Sequence, residues 1–280
     1  MDFYTSIKNL YKQIYFNIEE SFPEISWDRI VSNKVLQLPA SCLNEAQGFI
    51  SAFYKLSQTA SYQEATGLKK QFPFDENIKN HSLLMAYDFH VDDQNNLKLI
   101  EVNTNASGYL LADLVYTSMS NTSSLDSLKS SFLSELELSH HPSEKKIFIV
   151  DENISQQKMI FEFYMYKALF EQWGFNSKIV EFSQLHWDDS KKALFDNDQP
   201  VDFIYNRYCD FLLQKEVSSH LLNGFSQNVT LSPNPIHYFL LADKERLLEL
   251  SDPLWAEQML DQKALSLYEK IKDNLILTYP

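Results

Sequence analysis

The second half of the sequence alternates short apolar runs with longer helical segments, and this alternation limits the fold more than any other feature. Predicted strands, in which most residues are apolar, lie at 147–150, 178–182, 201–205 and 229–231. Between them, helical periodicity covers 156–173, which ends at Gly174, and 212–222. Strands separated by helices of this length form βαβ units, in which right-handed crossovers join parallel strands. The sequence therefore predicts an α/β fold with a parallel sheet.

The first half combines helical periodicity with a β-hairpin. Apolar residues recur at helical spacing from Phe3 to Ile18 and again over 44–57, which predicts two amphipathic helices. Over 83–103 the period changes to 2, and the polar turn 92–96 separates two strands. The hairpin therefore interrupts a mainly helical region.

Polar stretches and prolines predict the division of the chain. The stretches 121–131 and 139–143 have the composition of a boundary region, and two prolines precede a predicted helix over 236–250. We therefore expect three parts: a helical part with the hairpin (1–143), a parallel-sheet part (144–235) and a helical segment (236–280).

Charge and cysteine content narrow the range of partners. The chain carries 24 basic and 38 acidic residues, a formal net charge of −14, and such a surface repels nucleic-acid phosphates. Two cysteines are too few for a disulfide framework or a cysteine zinc site. The N-terminal residues mix charged with apolar positions, unlike a signal peptide or a membrane span. We expect a cytoplasmic protein with no nucleic-acid or membrane partner.

Glycine is scarce, and this excludes two common nucleotide-binding motifs. The chain has 5 glycines, all isolated, whereas an average usage of about 7% would give roughly 20. Phosphate-binding loops need clustered glycines because only these let several backbone N–H groups approach the phosphate closely. Neither GxxxxGK nor GxGxxG occurs, so standard P-loop and dinucleotide-binding sites are excluded.

Acidic and amide side chains cluster on the hairpin. Glu101 ends an apolar strand and Asn103 follows two positions later, so strand alternation puts both on one face. A two-residue turn at 94–95 would pair Asp88 with Glu101, and one at 95–96 would pair it with Asn103. Both registers bring Asp88 onto that face, whereas a three-residue turn would not.

Two carboxylates and a carboxamide oxygen suit Mg²⁺, which is usually held by one or two carboxylates together with substrate phosphates. The segment that follows, 104–108, is small and polar enough to offer backbone N–H groups to an anion. The alternative is that Asp88 and Glu101 only solvate the outer face of an antiparallel hairpin, where polar residues are ordinary. Spacing alone leaves both interpretations open.

The stretch from Asp88 to Gly108 resembles the acidic-strand motif of eukaryotic-type glutathione synthetases, within the ATP-grasp superfamily. In that family an aspartate-bearing strand leads into a Glu-hydrophobic-Asn-Thr strand end and a small Ser/Ala/Gly loop. Here Glu-Val-Asn-Thr stands at 101–104, and a small loop follows. The resemblance implies that Glu101 and Asn103 bind Mg²⁺ at the phosphates of ATP, with Asp88 in support.

Later segments resemble the same family in the same order. Asn153 and Gln157 match an Asn-x-x-x-Gln pair that holds the γ-glutamyl substrate, and Arg207 matches an arginine that binds the carboxylate of that substrate. Ser107 belongs to the loop that the family uses to recognise it. An arginine fork suits this role because it binds both carboxylate oxygens in one plane. The residues also allow simpler interpretations: a surface ion pair of Arg207 with Asp210, and helix capping by Asn153.

The sequence also departs from the family pattern. Ala86 stands where the family usually has an arginine, two residues before the aspartate, and 106–108 keeps only part of the family's serines. Leu-Ser-Pro-Asn-Pro at 231–235, with Asp-Lys at 243–244, resembles the crossover into the ATP-grasp lobe. The sequence stops about where that lobe should begin. We therefore expect a fragment that carries the substrate domain and part of the metal site, and that is inactive alone.

The resulting hypothesis is an ATP-dependent carboxylate–amine ligase that acts through an acyl phosphate on a γ-glutamyl or other small peptide. Its fold would be a Rossmann-like (pre-ATP-grasp) parallel-sheet substrate domain, preceded by a helical region with a β-hairpin. Mg²⁺ would be the cofactor and ATP the co-substrate. The candidate catalytic residues are Arg207 and Asp88, the candidate substrate contacts are Asn153, Gln157, Arg207 and Ser107, and the candidate metal and ATP ligands are Glu101 and Asn103.

Two other functional classes stay open. A non-catalytic ATP-grasp-like binding module fits Ala86 and the incomplete small loop. A metal-dependent hydrolase would use Asp88, His90 and Asp93, although the sequence lacks an HxH pair or other convincing ligands. A small molecule or peptide is the expected ligand of both the ligase and the binding module. The chain could also form a homodimer.

Overall fold

The computed structural model describes residues 2–18, 25–74, 80–139, 144–227 and 229–276. The helices are α1 (Phe3–Ile14), α2 (Trp27–Ile30), α3 (Ala40–Ser57), α4 (Ala60–Ala65), α5 (Leu68–Gln71), α6 (Tyr109–Ser120), α7 (Leu125–Leu136), α8 (Ile160–Gln172), α9 (Ser219–Ser226), α10 (Pro235–His237), α11 (Lys244–Leu250), α12 (Pro253–Met259) and α13 (Gln262–Tyr268). The strands are β1 (Ala86–Val91), β2 (Leu97–Asn103), β3 (Lys146–Asp151), β4 (Asn176–Glu181), β5 (Leu185–Asp188), β6 (Ala193–Asp196), β7 (Gln199–Pro200), β8 (Phe203–Asn206) and β9 (Thr230–Ser232).

Internal contacts divide the chain into two compact units, each assembled from segments that are far apart in sequence. Unit 1 comprises Met1–Val35, Asn77–Leu84 and Asn105–Pro233, and unit 2 comprises Leu36–Glu76, Met85–Thr104 and Asn234–Pro280. The hairpin thus belongs to the same unit as the C-terminal helices. The contiguous division at residues 143 and 235 stays a sequence-based prediction.

Unit 1 is built on a four-stranded parallel sheet, which confirms the predicted α/β class and parallel pairing. The strand order is β4-β3-β8-β9. β3 pairs with β4 along its whole length, from Lys146↔Asn176 to Asp151↔Glu181, and with β8 on its other side. The apolar run 147–150 is fully buried because the strand is covered on both faces.

The strand order reverses at β3. From β3 the chain continues to β4 on one side of the sheet and later to β8 on the other side. Open α/β sheets bind ligands outside the carboxyl ends of their strands at such a switch point. Asp151 ends β3, and Arg207 directly follows β8. The topology of unit 1 therefore favours a ligand site at this edge.

The connection from β4 to β8 holds a small antiparallel sheet of order β5-β6-β7, which the sequence analysis did not predict. Its strands have only two to four residues, too few for an apolar run or an alternating pattern to mark them. The helix predicted over 212–222 also begins later, because the Asp210 carboxylate accepts the Lys215 N–H (3.0 Å) and the Ser218 hydroxyl (2.5 Å). Such side-chain hydrogen bonds compete with helix formation. α9 consequently begins at Ser219.

The polar stretch 121–131 is not a boundary region, because α7 begins at Leu125. Leu128, Phe132 and Leu136 recur every four residues on α7 and are buried. The ring of Phe132 lies 4.8 Å from that of Phe170, within the core of unit 1. Serines on the exposed face of this helix hide the apolar pattern. Of the second stretch, residues 140–143 lie outside the described residues.

Unit 2 packs the hairpin against α3. The rings of Phe49 on α3 and Phe89 on β1 are 5.5 Å apart and perpendicular. The Asn274 amide donates to the Leu97 carbonyl (3.0 Å) and to the Glu45 carboxylate (2.5 Å). A buried amide with two acceptors thus links the C-terminal end of the unit to β2 and α3.

The helix predicted over 236–250 is broken. A π-helix covers Tyr238–Ala242, and Asp243 then adopts an extended conformation (φ −62°, ψ 128°). Its carboxylate accepts the Glu245 N–H (3.0 Å) and caps α11. Apolar periodicity continues across the break, so only the capping aspartate marks it in the sequence.

Candidate functional site

In unit 2 the hairpin places Asp88 opposite Glu101. The length of the turn alone does not predict this pairing. Next to the turn, Val91 pairs with Leu97, and continuing this register would put Ile100 opposite Asp88. The register shifts at this point, so that Glu101 takes the position instead. One extra residue in β2 forms a bulge, which restores the parity that the odd-numbered turn breaks.

Asn103 links the two carboxylates. Its Nδ2 lies 3.4 Å from Oδ2 of Asp88 and 3.3 Å from Oε1 of Glu101. Both distances are beyond the usual range for N–H···O hydrogen bonds. Asp88 and Asn103 are exposed, and Glu101 is partly exposed. The three side chains therefore share one face of the hairpin, as strand alternation predicted.

This donor set fits a hard divalent cation. The carboxylates of Asp88 and Glu101 are preferred ligands, and a flip of the Asn103 amide would turn its oxygen toward them, since oxygen and nitrogen exchange places. Lys244 Nζ lies 3.9 Å from Oε2 of Glu101, so a positive charge already adjoins the pair. Water or substrate oxygens would have to complete the coordination.

The hydrolase hypothesis finds less support. It requires Asp88, His90 and Asp93 to act together with further ligands. Within the described part of the chain, no group of three His, Cys, Asp or Glu side chains could hold a metal ion. Asp88 and Glu101 provide only two such side chains, and the third member of their cluster is an amide.

In unit 1 the Arg207 side chain lies at the switch point of the sheet and is only 6% exposed. Its Nη1 donates to the carbonyl of Ala106 (2.6 Å), and its Nη2 donates to the hydroxyl of Ser107. No carboxylate of the described residues lies within 4 Å of the guanidinium. A planar cation is thus fixed at the ligand-binding edge without a paired anion.

The alternative role for Arg207, a surface ion pair with Asp210, is wrong: the arginine is buried, and the Asp210 carboxylate serves the turn that precedes α9. The aromatic rings of Tyr205 and Phe163 lie 5.6 and 5.9 Å from the guanidinium carbon. These rings offset part of the cost of burying the charge. Burial lowers the pKa of Arg207, but the neighbouring Tyr205 and the charge of Glu162 raise it overall, so a ligand carboxylate would be an additional partner of the guanidinium.

A side chain of the protein itself binds the backbone N–H groups of the loop that precedes α6. Both carboxylate oxygens of Glu162 accept the Gly108 N–H (2.9 Å each), and one accepts the Leu110 N–H (3.3 Å). At Gly108, the expectation that 104–108 offers N–H groups to an anion is therefore wrong. Burial raises the pKa of Glu162, while the N–H donors and the charge of Arg207 oppose that shift.

Glu162 also explains the geometry around Arg207. Gly108 has a φ of +90°, which glycine adopts without strain, and it follows Ser107 directly. Because Glu162 fixes Gly108, it also fixes the loop whose carbonyl and hydroxyl bind the guanidinium. Sequence reasoning missed this residue, although an acid between the apolar residues Phe161 and Phe163 in the first turn of α8 marks it.

Asn153 and Gln157 lie in the connection between β3 and α8. Asn153 is exposed, adopts a left-handed conformation (φ 49°, ψ 45°) and makes no capping hydrogen bond. Asn153 therefore does not cap a helix with its side chain, whereas its exposure agrees with the alternative that it only contacts solvent. Gln157 donates from Nε2 to the carbonyl of Glu152 (2.7 Å). Asn153 thus offers an exposed amide to a ligand, whereas the Gln157 amide stabilises its own loop.

Sequence reasoning also missed Asp151, the last residue of β3. It is 3% exposed, and its Oδ1 accepts the Glu152 N–H (2.8 Å). Burial raises the pKa of Asp151 to about 6, while the Glu152 N–H and the charge of Arg207 lower it. A carboxylate at the carboxyl end of a central parallel strand is the sequence signal that points to this position.

We expect Asp151→Asn to stabilise the protein above pH 6. Because the pKa of Asp151 is raised from 3.8 to about 6 in the folded state, this carboxylate makes stability fall as the pH rises between those values. Asparagine avoids the loss, about 3 kcal/mol at neutral pH, and keeps Oδ1. Urea unfolding from pH 4 to 8 measures the effect. The exposed acid Asp198 provides the control Asp198→Asn, and equal pH slopes for the two variants would contradict the prediction.

The chain matches no family model, and no curated protein matches it. Among the helices of the described residues, none is both long and apolar enough to cross a membrane. The functional assignment therefore depends on the geometry of the two residue groups above.

Proposed function

We propose that the chain acts in an ATP-dependent ligase that joins a carboxylate to an amine through an acyl phosphate, with a γ-glutamyl or other small peptide as the acid. The observation that carries this proposal is the convergence of Asp88, Glu101 and Asn103 on one face of the hairpin. Oxygen ligands in this arrangement suit the Mg²⁺ that phosphoryl transfer needs.

The hairpin residues would have distinct roles. When bound with ATP, Mg²⁺ would neutralise charge on the transferring phosphoryl group. Glu101 and Asn103 would provide direct oxygen ligands, and Asp88 would support them with a second negative charge at the cation. Lys244, next to Glu101, would limit repulsion between the carboxylates and the phosphates.

The residues of unit 1 would hold the acid substrate. Arg207 would bind a substrate carboxylate through its planar fork, and Ser107 would keep that fork oriented. Asn153 would contribute an amide contact. We infer that the parallel sheet is a Rossmann-like (pre-ATP-grasp) substrate domain, because Asn153 and Arg207 follow the carboxyl ends of its strands β3 and β8.

We expect Glu101→Gln and Asp88→Asn to weaken binding of Mn²⁺, used as a probe for Mg²⁺, roughly tenfold to a hundredfold. Each substitution removes one negative charge and keeps the side-chain size. The matched control is Asp93→Asn, at an exposed acid in the turn of the same hairpin. Electron paramagnetic resonance of free Mn²⁺ gives the affinities. Equal affinities for Glu101→Gln and Asp93→Asn would overturn the metal site.

A hydroxylamine trap separates a ligase from a binding module. With ATP, Mg²⁺ and γ-glutamylcysteine, an acyl phosphate forms as ADP leaves, and hydroxylamine then displaces phosphate to give a hydroxamate. A ligase yields hydroxamate and ADP in equal amounts, and Glu101→Gln abolishes both. Hydroxamate formation would show that the expectation of an inactive fragment is wrong, whereas peptide binding without hydroxamate would agree with both the inactive fragment and the non-catalytic module. One observation favours this second candidate: the N–H groups of Gly108 and Leu110, which could bind a ligand anion, donate to the protein's own Glu162 carboxylate.

A further inference from the structure

Unit 2 contains a cavity between α3 and α13, and none of its lining residues belongs to the hairpin. Its volume is about 480 Å³, within the range of about 300–1,000 Å³ for small-molecule sites. It is lined by Tyr54, Lys55 and Gln58 from the end of α3 and by Lys263, Ser266 and Leu267 from α13.

Helix packing fixes the walls of this cavity. Lys263, Ser266 and Leu267 are three and four positions apart, so they lie on one face of α13. α13 packs against α3, and Ala264 and Tyr268 anchor it because both are buried. The cavity is therefore bounded by two helices of the same compact unit.

The wall of the cavity includes apolar surface. Leu267 is partly buried, and the ring of Tyr54 lies 5.8 Å from the ring of His237, so both side chains are held by their neighbours. The methylene groups of Lys55 and Lys263 add further apolar area beneath their charged ends. This surface suits a ring system or an alkyl chain.

The rim of the cavity is positively charged in a chain whose net charge is −14. Neither Lys55 nor Lys263 forms an ion pair with a carboxylate of the described residues. The acids near α13 have other partners, because Asp261 accepts the Ala264 N–H (2.8 Å) and Glu269 pairs with a lysine beyond the helix (2.7 Å). Two lysines at one apolar cavity therefore lack a described counter-ion.

We propose that this cavity binds a small amphipathic anion, with an aromatic or alkyl body and one carboxylate, sulfonate or phosphate group. Lys55 and Lys263 bind the anionic group, and Tyr54 and Leu267 contact the body. Gln58 and Ser266 are polar groups at the rim that hydrogen-bond the head group. The proposal does not depend on the ligase function, because it uses none of the residues assigned to it.

The test uses 8-anilinonaphthalene-1-sulfonate and its neutral counterpart N-phenyl-1-naphthylamine, which has the same rings without the sulfonate. Fluorescence titration of the whole chain should show tighter binding of the sulfonate. The double variant Lys55→Gln/Lys263→Gln should weaken sulfonate binding roughly tenfold, the effect of removing two partly exposed charges. It should change binding of the neutral compound less than twofold.

The matched control is Lys70→Gln/Lys270→Gln, which removes the same charge from exposed positions of unit 2 outside the cavity. It should keep the wild-type affinity for the sulfonate. Three results would overturn the proposal: no binding of the sulfonate by the wild-type chain, equal affinity of the two double variants, or an equal loss for the neutral compound. All substituted lysines are exposed on the surface, so each variant is expected to fold.

Discussion

Replacing Arg207 with lysine should lower the affinity for γ-glutamylcysteine roughly a hundredfold, a loss of about 3 kcal/mol. The guanidinium is buried at the edge of the sheet and bound by the Ala106 carbonyl and the Ser107 hydroxyl. Its remaining N–H groups would form a planar pair with a substrate carboxylate. Lysine keeps the positive charge but presents a single ammonium group, which cannot hold both oxygens in one plane. Isothermal titration calorimetry measures the loss.

A modified ligand separates binding from a structural role. A γ-glutamyl peptide whose glutamyl α-carboxylate is amidated has no anion for Arg207, so the wild type and Arg207→Lys should bind it equally. If both peptides lose affinity to the same degree, Arg207 acts on the structure of the loop and not on the ligand. Lys215→Gln, at an exposed lysine of the same unit, is the charge-matched control and should bind both peptides as the wild type does.

The parallel sheet and the hairpin were predictable because each has its own pattern in the sequence. The strand at 147–150 is covered on both faces and is therefore continuously apolar. The hairpin has one exposed face, so polar and apolar residues alternate through Asp88 and Glu101. Both patterns reflect which side chains of a strand are exposed to solvent. The order of polar and apolar residues in the sequence shows this directly.

The elements that escaped prediction depend on features that leave no periodic pattern in the sequence. The register of the hairpin includes a bulge that brings Glu101 opposite Asp88, and turn length does not reveal a bulge. α7 packs into the core through Phe132, but the serines on its exposed face give this segment the composition of a loop. The break at Asp243 lies within continuous apolar periodicity, and only a local capping hydrogen bond creates it.

The candidate site was predictable only in part, for the same reason. Arg207 follows a strand of the parallel sheet, where sequence position indicates a ligand site, and strand alternation puts the hairpin acids on one face. Glu162 and Asp151 are buried acids, and what a buried acid does depends on its partners in space. The N–H groups that Glu162 binds are more than 50 positions away along the chain, beyond the reach of a local pattern.

Glu162→Ala should lower the free energy of unfolding by about 3 kcal/mol. It leaves the buried N–H groups of Gly108 and Leu110 without an acceptor, at a cost of about 1–3 kcal/mol each, and it creates a cavity beside α6. Part of this cost is offset, because the buried carboxylate whose pKa is raised is removed as well. Glu162→Gln keeps the side-chain volume and one acceptor oxygen, so its effect should be smaller. Urea unfolding at pH 7 measures both.

The control lies on the same helix. Glu171 pairs with Lys167 on the exposed surface of α8, and Glu171→Ala should cost no more than about 0.5 kcal/mol. Hydrogen exchange locates the effect, since the Gly108 amide should exchange faster in Glu162→Ala than global unfolding explains. Equal stability of Glu162→Ala and Glu171→Ala, with unchanged exchange at Gly108, would show that the Glu162 carboxylate does not hold the loop beside Arg207.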